Sequence, residues 1–116
     1  MTYRNRQRLT DIRAAIDAIN AHLQRGTLAD GLIFDAIRMR LLEIGEAVTA
    51  VSPEFLETEP DIAWSDIARM RDHLAHRYFD TSHGIVQGTV DHDLPVLEEA
   101  VARLQRLLGD SDDDLP

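Results

Sequence analysis

IAWSDIARMRDHLAHRYFD, residues 62–80, is the stretch on which the reading of this chain turns. Ile67, Met70 and Leu74 recur at three- and four-residue steps, which puts them on one face of an α-helix. The charged residues between them fall on the remaining faces, so the segment reads as an amphipathic helix starting near residues 61–65. Asp80-Thr81-Ser82 is a turn and N-cap cluster, so the helix should stop around residues 76–80, with Tyr78 turned towards the core. Trp64 is most simply a core anchor at its start.

The same periodicity extends outward in both directions. Leu9, Ile12, Ile16, Ile19 and Leu23 predict a helix over roughly residues 5–24, with Gly26 as its C-cap. Ile33, Ile37, Leu41, Ile44, Val48 and Val51, with Phe34 and Leu42 beside them, predict a second over roughly 28–51. Within it Gly45 costs about 1 kcal/mol relative to Ala. It reads either as a tolerated glycine next to a solvated Glu46 or as a point where another backbone comes close. Ser52-Pro53 starts a short helix or turn, with Ser52 as N-cap and Pro53 at the first helical position. A last helical region over 83–108 should be interrupted or kinked at Pro95, which lacks a donor, with Val96, Leu97, Val101, Leu104, Leu107 and Leu108 as its apolar face. No strand pattern or repeat appears. The expected fold is an all-α antiparallel bundle of four main helices and one short extra, a domain over residues 1–108 followed by an acidic tail over 109–116.

Composition bounds the chemistry. With 116 residues there is room for one core, and with no cysteine there is no disulfide, thiolate metal site or cysteine nucleophile. No signal-type apolar run or span of about 18 apolar residues occurs, so a soluble, cytoplasmic protein without membrane contact is expected. The net charge is −9 and all twelve basic residues are Arg. Such a chain is a poor general nucleic-acid binder, because affinity of that kind comes from neutralising phosphates, and no DNA partner is expected. A local Arg pocket can still engage a single phosphate.

Arg71, His76 and Tyr78 stand in the spacing R-x-x-x-x-H-x-Y. His suits proton transfer in both directions near neutrality, and Arg offers a fixed fork of donors to a phosphate gaining charge. Together, without a metal, they are a sufficient minimum for cleaving RNA, where the adjacent 2′-hydroxyl is the nucleophile; Asp72 could orient or polarise the His. On a regular helix, however, His76 projects roughly 140° from Arg71, at about 100° per residue. They converge only if the helix ends or distorts near His76, or if a two-fold partner supplies its own copy. The residues alone equally permit a helix-end Arg and His paired with nearby acids. His73 and His76, with Asp91-His92-Asp93 downstream, make a metal site conceivable, but no second ligand pair lies close in sequence, and no metal or other cofactor is expected.

Residues 62–80, together with LLEIGEAV at 41–48 and the order of the helices, closely resemble the HEPN-domain toxins of the HepT (DUF86) family, whose tyrosine-containing form has the motif R-x4-H-x-Y. The resemblance covers most of the chain and leaves out the tail after Leu108. It implies a metal-independent endoribonuclease acting on RNA as the toxin of a type VII toxin–antitoxin pair. It also implies a homodimer whose two motifs face each other across the interface. Arg71 and His76 would be the catalytic pair and Asp72 a supporting group. Tyr78 would be the site where an MNT-type nucleotidyltransferase antitoxin (MntA-like) attaches AMP. The charge of −9 departs from what tight RNA binding requires. The alternative is a non-catalytic helical module that binds a nucleotide or the nucleotidyltransferase.

Overall fold

The computed structural model describes residues 2–76 and 83–109; Tyr78 and the tail from residue 110 lie outside them, as do the side chains of Thr2 and His76. All regular structure among the described residues is helical: α1 (Thr2–Arg25), α2 (Gly31–Ala50), α3 (Pro53–Leu56), α4 (Trp64–His76), α5 (His83–Gly88), a π-helical turn (Thr89–Asp93) and α6 (Leu94–Gly109). α1 packs against α2 and α6, and α2 packs against α4. The order around the bundle is therefore α6, α1, α2, α4. Among the described residues the ring does not close tightly: between α4 on one side and α5–α6 on the other runs a groove of about 730 Å³. Ile67, Met70 and Leu74 line one wall, and Ile85, Leu94 and Leu97 the other.

The core is the apolar stripe expected from the sequence. Leu9, Ile12, Ile16, Ile19, Ile37, Ile44, Val101 and Leu104 are fully excluded from solvent, and Leu41 and Leu74 nearly so. Each such side chain is worth about 1.5–3 kcal/mol against exposure, so these positions carry the fold. Leu23, Ile33, Phe34, Leu42, Ile67 and Met70 pack around them, partly exposed. Two members of the expected α6 face do not belong to it. Val96 and Leu107 are each 51% exposed, because the buried arc of α6 is centred on Leu97, Val101, Leu104 and Leu108.

Several boundaries differ from the expectation for local reasons. α1 begins at Thr2 rather than residue 5. α2 starts at Gly31, not near residue 28, because Asp30 is its N-cap: the Asp30 carboxylate accepts from the Leu32 amide at 2.9 Å, and residues 27–30 form a turn. Gly26 follows α1 but does not adopt a left-handed conformation. Its lack of a side chain admits Ile33, which would lie 3.1 Å from a Cβ there. Ser52 precedes Pro53 as expected, yet its side chain does not cap α3. Its hydroxyl and its backbone N–H both donate to Oδ1 of Asn5, a buried polar residue on α1, tying the start of the chain to the α2–α3 junction. The interruption at Pro95 takes the form of the π-turn: the Leu94 amide bonds the carbonyl of Thr89, five residues back. A wider turn accommodates a residue that has no N–H and whose ring crowds the preceding carbonyls, and the helix continues through it.

The entry to α4 is clamped from two sides. The Trp64 indole N–H donates to the Glu59 carbonyl at 3.0 Å, and the Glu59 carboxylate receives Nε and Nη2 of Arg103 from α6 at 3.0 and 2.7 Å. Trp64 thus anchors its helix, though half-buried and through a hydrogen bond as well as packing. The bond from Arg103, and then its charge, hold the Glu59 carboxyl below the usual carboxylate range. A depressed folded-state pKa contributes stability at neutral pH that is lost as pH falls through it. The gap in melting temperature between wild type and Glu59→Gln is therefore expected to narrow on titration from about pH 7 to about pH 3. A gap constant over that range in thermal melts would contradict this role for the pair.

Candidate active site

Arg71 emerges from α4 at a point where the backbone of that helix comes close to α2. The contact is made by Gly45: a Cβ built there would sit 3.1 Å from the Arg71 Cβ, 3.1 Å from the Ile67 carbonyl oxygen and 3.3 Å from the Arg71 amide nitrogen. Of the two readings of Gly45, close backbone approach is the one the fold adopts. Any side chain at 45 would have to displace backbone or the root of Arg71, neither of which can swing aside.

The next residue on α2 takes the other end of the same side chain. Nη1 of Arg71 donates to Oε2 of Glu46 at 2.8 Å, and Nε lies 3.6 Å from Oδ1 of Asp72, beyond hydrogen-bond reach. Glu46 and Asp72 are largely exposed, at 72% and 65%, while Arg71 is exposed to 36%. Leu42, Glu43, Glu46, Arg71, Asp72 and Ala75 line a shallow hollow on this face. Glu43 is held by Arg40, whose Nη1 contacts both carboxylate oxygens at 2.7 and 2.9 Å. Among the described residues three carboxylates and two guanidinium groups make up the charged surroundings, and the Arg71 fork is the cation that lines the hollow.

α4 is gripped again near its end, where Nη1 of Arg38 donates to the Leu74 carbonyl at 2.8 Å. A cation on a carbonyl near the C-terminal end of a helix is favourably placed against the helix dipole. The role of Arg38 was not legible in the sequence, because its acceptor is a backbone oxygen 36 residues away with no side-chain signature. α4 is unbroken from Trp64 to His76, so no distortion draws Arg71 and His76 together before that residue. His76 is the last residue of α4, and Tyr78 falls outside the described residues. His73 lines the large groove rather than the hollow, so α4 separates it from Arg71. Among the described residues no three His, Cys, Asp or Glu side chains gather as a metal-binding group, and no helix is long and apolar enough to cross a membrane.

An all-α bundle with an Arg at the α2–α4 contact and a His ending the same helix defines an HEPN-type protein. The family model described as ribonuclease HepT-like matches residues 10–104, and this chain belongs to that family. A Thermococcus cleftensis protein named "Probable ribonuclease HepT" is 33% identical over 102 residues, covering 84% of this chain and 93% of the relative. A Methanocaldococcus jannaschii protein named "Putative RNase MJ0127" is 30% identical over 101 residues, 84% of each chain. A Caldanaerobacter subterraneus protein named "Putative RNase TTE0752" is 40% identical over 67 residues, 57% of this chain and 60% of its own. No solved structure matches the chain.

The glycine contact can be tested against an internal control. A Cβ at Gly88, a helical glycine in α5, meets nothing within 4 Å. Gly88→Ala is expected to stabilise by about 0.4–1 kcal/mol through reduced chain entropy. Gly45→Ala gains about 1 kcal/mol of helix propensity but overpacks the α2–α4 contact at a cost of about 1–3 kcal/mol, so it should destabilise on balance. Urea unfolding midpoints shifting in the same direction for both variants would refute the close-approach reading.

Proposed function

We propose that this chain is a metal-independent endoribonuclease, with Arg71 and His76 as its catalytic pair, and the toxin of a type VII toxin–antitoxin pair. The observation that carries the reading is the placement of Arg71. Its guanidinium lies in a surface hollow, rooted at a helix–helix contact, in a chain whose family and relatives bear ribonuclease names.

The chemistry follows from what each group can do. The 2′-hydroxyl of the RNA attacks the adjacent phosphorus, forming a 2′,3′-cyclic phosphate and releasing the 5′-oxygen of the next nucleotide. His76 accepts the proton from the 2′-hydroxyl, and an imidazolium returns one to the leaving oxygen. Arg71 neutralises the charge that accumulates on the phosphoryl oxygens. Asp72 supports the site from the edge of the hollow.

A homodimer satisfies the geometry. On a regular helix an Arg and a His five residues apart project apart, so a two-fold arrangement in which two motifs share a cleft is one route that brings an Arg and a His onto one phosphate. Leu32 and Met39, exposed at 81% and 46%, are spaced seven apart on α2, and Glu46 is seven residues further on. They share one exposed face of α2, in which the two apolar side chains alternate with the carboxylates of Asp35, Glu43 and Glu46 on the way to Arg71. Tyr78, two residues past His76, is the proposed point at which an MNT-type nucleotidyltransferase attaches AMP, adding bulk and negative charge where substrate phosphate binds.

Purified protein of confirmed unmodified mass should cleave cellular RNA in EDTA. His76→Ala is expected to lose about 10²–10⁴-fold in rate and Arg71→Ala about 10²–10³-fold, both with unchanged helical circular dichroism. An inactive wild type would leave this surface as a nucleotide- or partner-binding module, and an active His76→Ala would remove the acid–base assignment. With the nucleotidyltransferase and ATP, Tyr78→Phe should gain no AMP mass and should resist silencing; full modification of that variant would sink the control-point assignment.

A further inference from the structure

We infer that Glu46 is a positioning residue for Arg71, and that Gly45 and Glu46 form a two-residue device on α2 fixing both ends of the arginine side chain. This deepens the ribonuclease reading and rests on it. Gly45 fixes the root, because the backbone of α4 at Ile67 and Arg71 is seated directly on it. Glu46 fixes the head, through the 2.8 Å bond from Nη1 to Oε2.

The form of that bond matters. A carboxylate facing an arginine can take two parallel N–H bonds and consume the fork. Glu46 takes one, from Nη1 alone, and Asp72 stands 3.6 Å from Nε without bonding it. Among the described residues no hydrogen bond is made by Nε or Nη2, so that edge of the guanidinium can turn to a phosphate once the Asp72 carboxylate, in ion-pair distance of Nε, gives way, while the plane of the group is set by its other side. An arginine tethered in this way meets substrate with its torsions already chosen, and less order has to be imposed on binding.

Neither a stabilising nor a competing role suits Glu46 as well. As a contributor to fold stability it is poorly placed, since it is 72% exposed and its pair is of the solvent-screened kind that contributes little. As a simple competitor for the phosphate it would be expected to face the fork with both oxygens. Competing and positioning roles also differ in the sign of what removal does. A competitor's removal speeds cleavage, whereas removal of a positioning group slows it even though a negative charge has left the substrate's path.

The test is a set of Glu46 variants of the full chain, read in two independent ways. In the first, RNA cleavage is measured under single-turnover conditions. Glu46→Ala is expected to lower the maximal rate about ten-fold, with the half-saturating RNA concentration unchanged or lower. Glu46→Gln keeps an oxygen acceptor at the same reach and should recover to within about three-fold of wild type. In the second, arginine-labelled protein is observed by NMR without RNA, with Arg71 assigned by comparison with Arg71→Lys. The Arg71 guanidinium should show restricted Nη exchange in wild type and Glu46→Gln, and free rotation in Glu46→Ala. Unchanged or faster cleavage by Glu46→Ala would overturn the inference, as would an Arg71 signal insensitive to that substitution. If wild type cleaves no RNA but the NMR contrast holds, the ribonuclease reading has failed while the tether stands. If RNA is cleaved but the contrast is missing, the tether has failed alone.

Discussion

The structure depends on the absence of one side chain. At Gly45 two helices meet backbone to backbone, with the Ile67 carbonyl and the root of Arg71 so near that a Cβ would press on both at 3.1 Å. A glycine within a helix sacrifices about 1 kcal/mol of local preference, and such a sacrifice persists where close approach returns more through packing. What the approach secures here is the register of α4 on α2. With the register set, Leu74 reaches the core, Arg38 reaches the Leu74 carbonyl, and Arg71 leaves the interface beside Glu46.

Apolar packing and the charged hollow are divided between the two faces of α4. Towards the bundle, Ile67, Met70 and Leu74 contribute apolar area against α2 and the groove, and Trp64 with the Glu59–Arg103 pair holds the start of the helix. Towards solvent, charged groups in a hollow add little to the free energy of folding, since exposed pairs are worth about 0–1 kcal/mol. This asymmetry lets the outer face carry a demanding arrangement of charges without endangering the fold. It also relates the acidic character of the chain to an arginine site. The net charge of −9 belongs to the whole surface, whereas the Arg71 fork hydrogen-bonds one carboxylate through one nitrogen, with the Asp72 carboxylate in looser ion-pair distance of Nε.

The last helix shows a different accommodation. Pro95 cannot complete the backbone ladder, and the chain widens into a π-turn just before it instead of breaking. The consequence is a long element from residue 83 to 109 that changes pitch midway. Its first half, through Ile85 and Thr89, forms one wall of the open groove, while its second half seats Val101 and Leu104 in the core.

Much of this was written locally. The three-and-four spacing of apolar residues was enough to place the four main helices, most of their buried residues and the all-α class, because burial of a stripe is the dominant energy and its period is visible in any single helix. The candidate catalytic residues were also legible, as side-chain types at a short spacing within one helix together with a resemblance covering most of the chain. What the sequence could not decide was anything depending on two elements at once. The choice between a tolerated and a contact-making Gly45, the pairing of Glu46 with an arginine 25 residues away, and Asn5 as the acceptor for Ser52 across 47 residues all required helices to be set against each other. Val96 and Leu107 failed as core residues for the same reason: an apolar period shows that a face exists, but only the neighbouring helices determine which arc of it they cover.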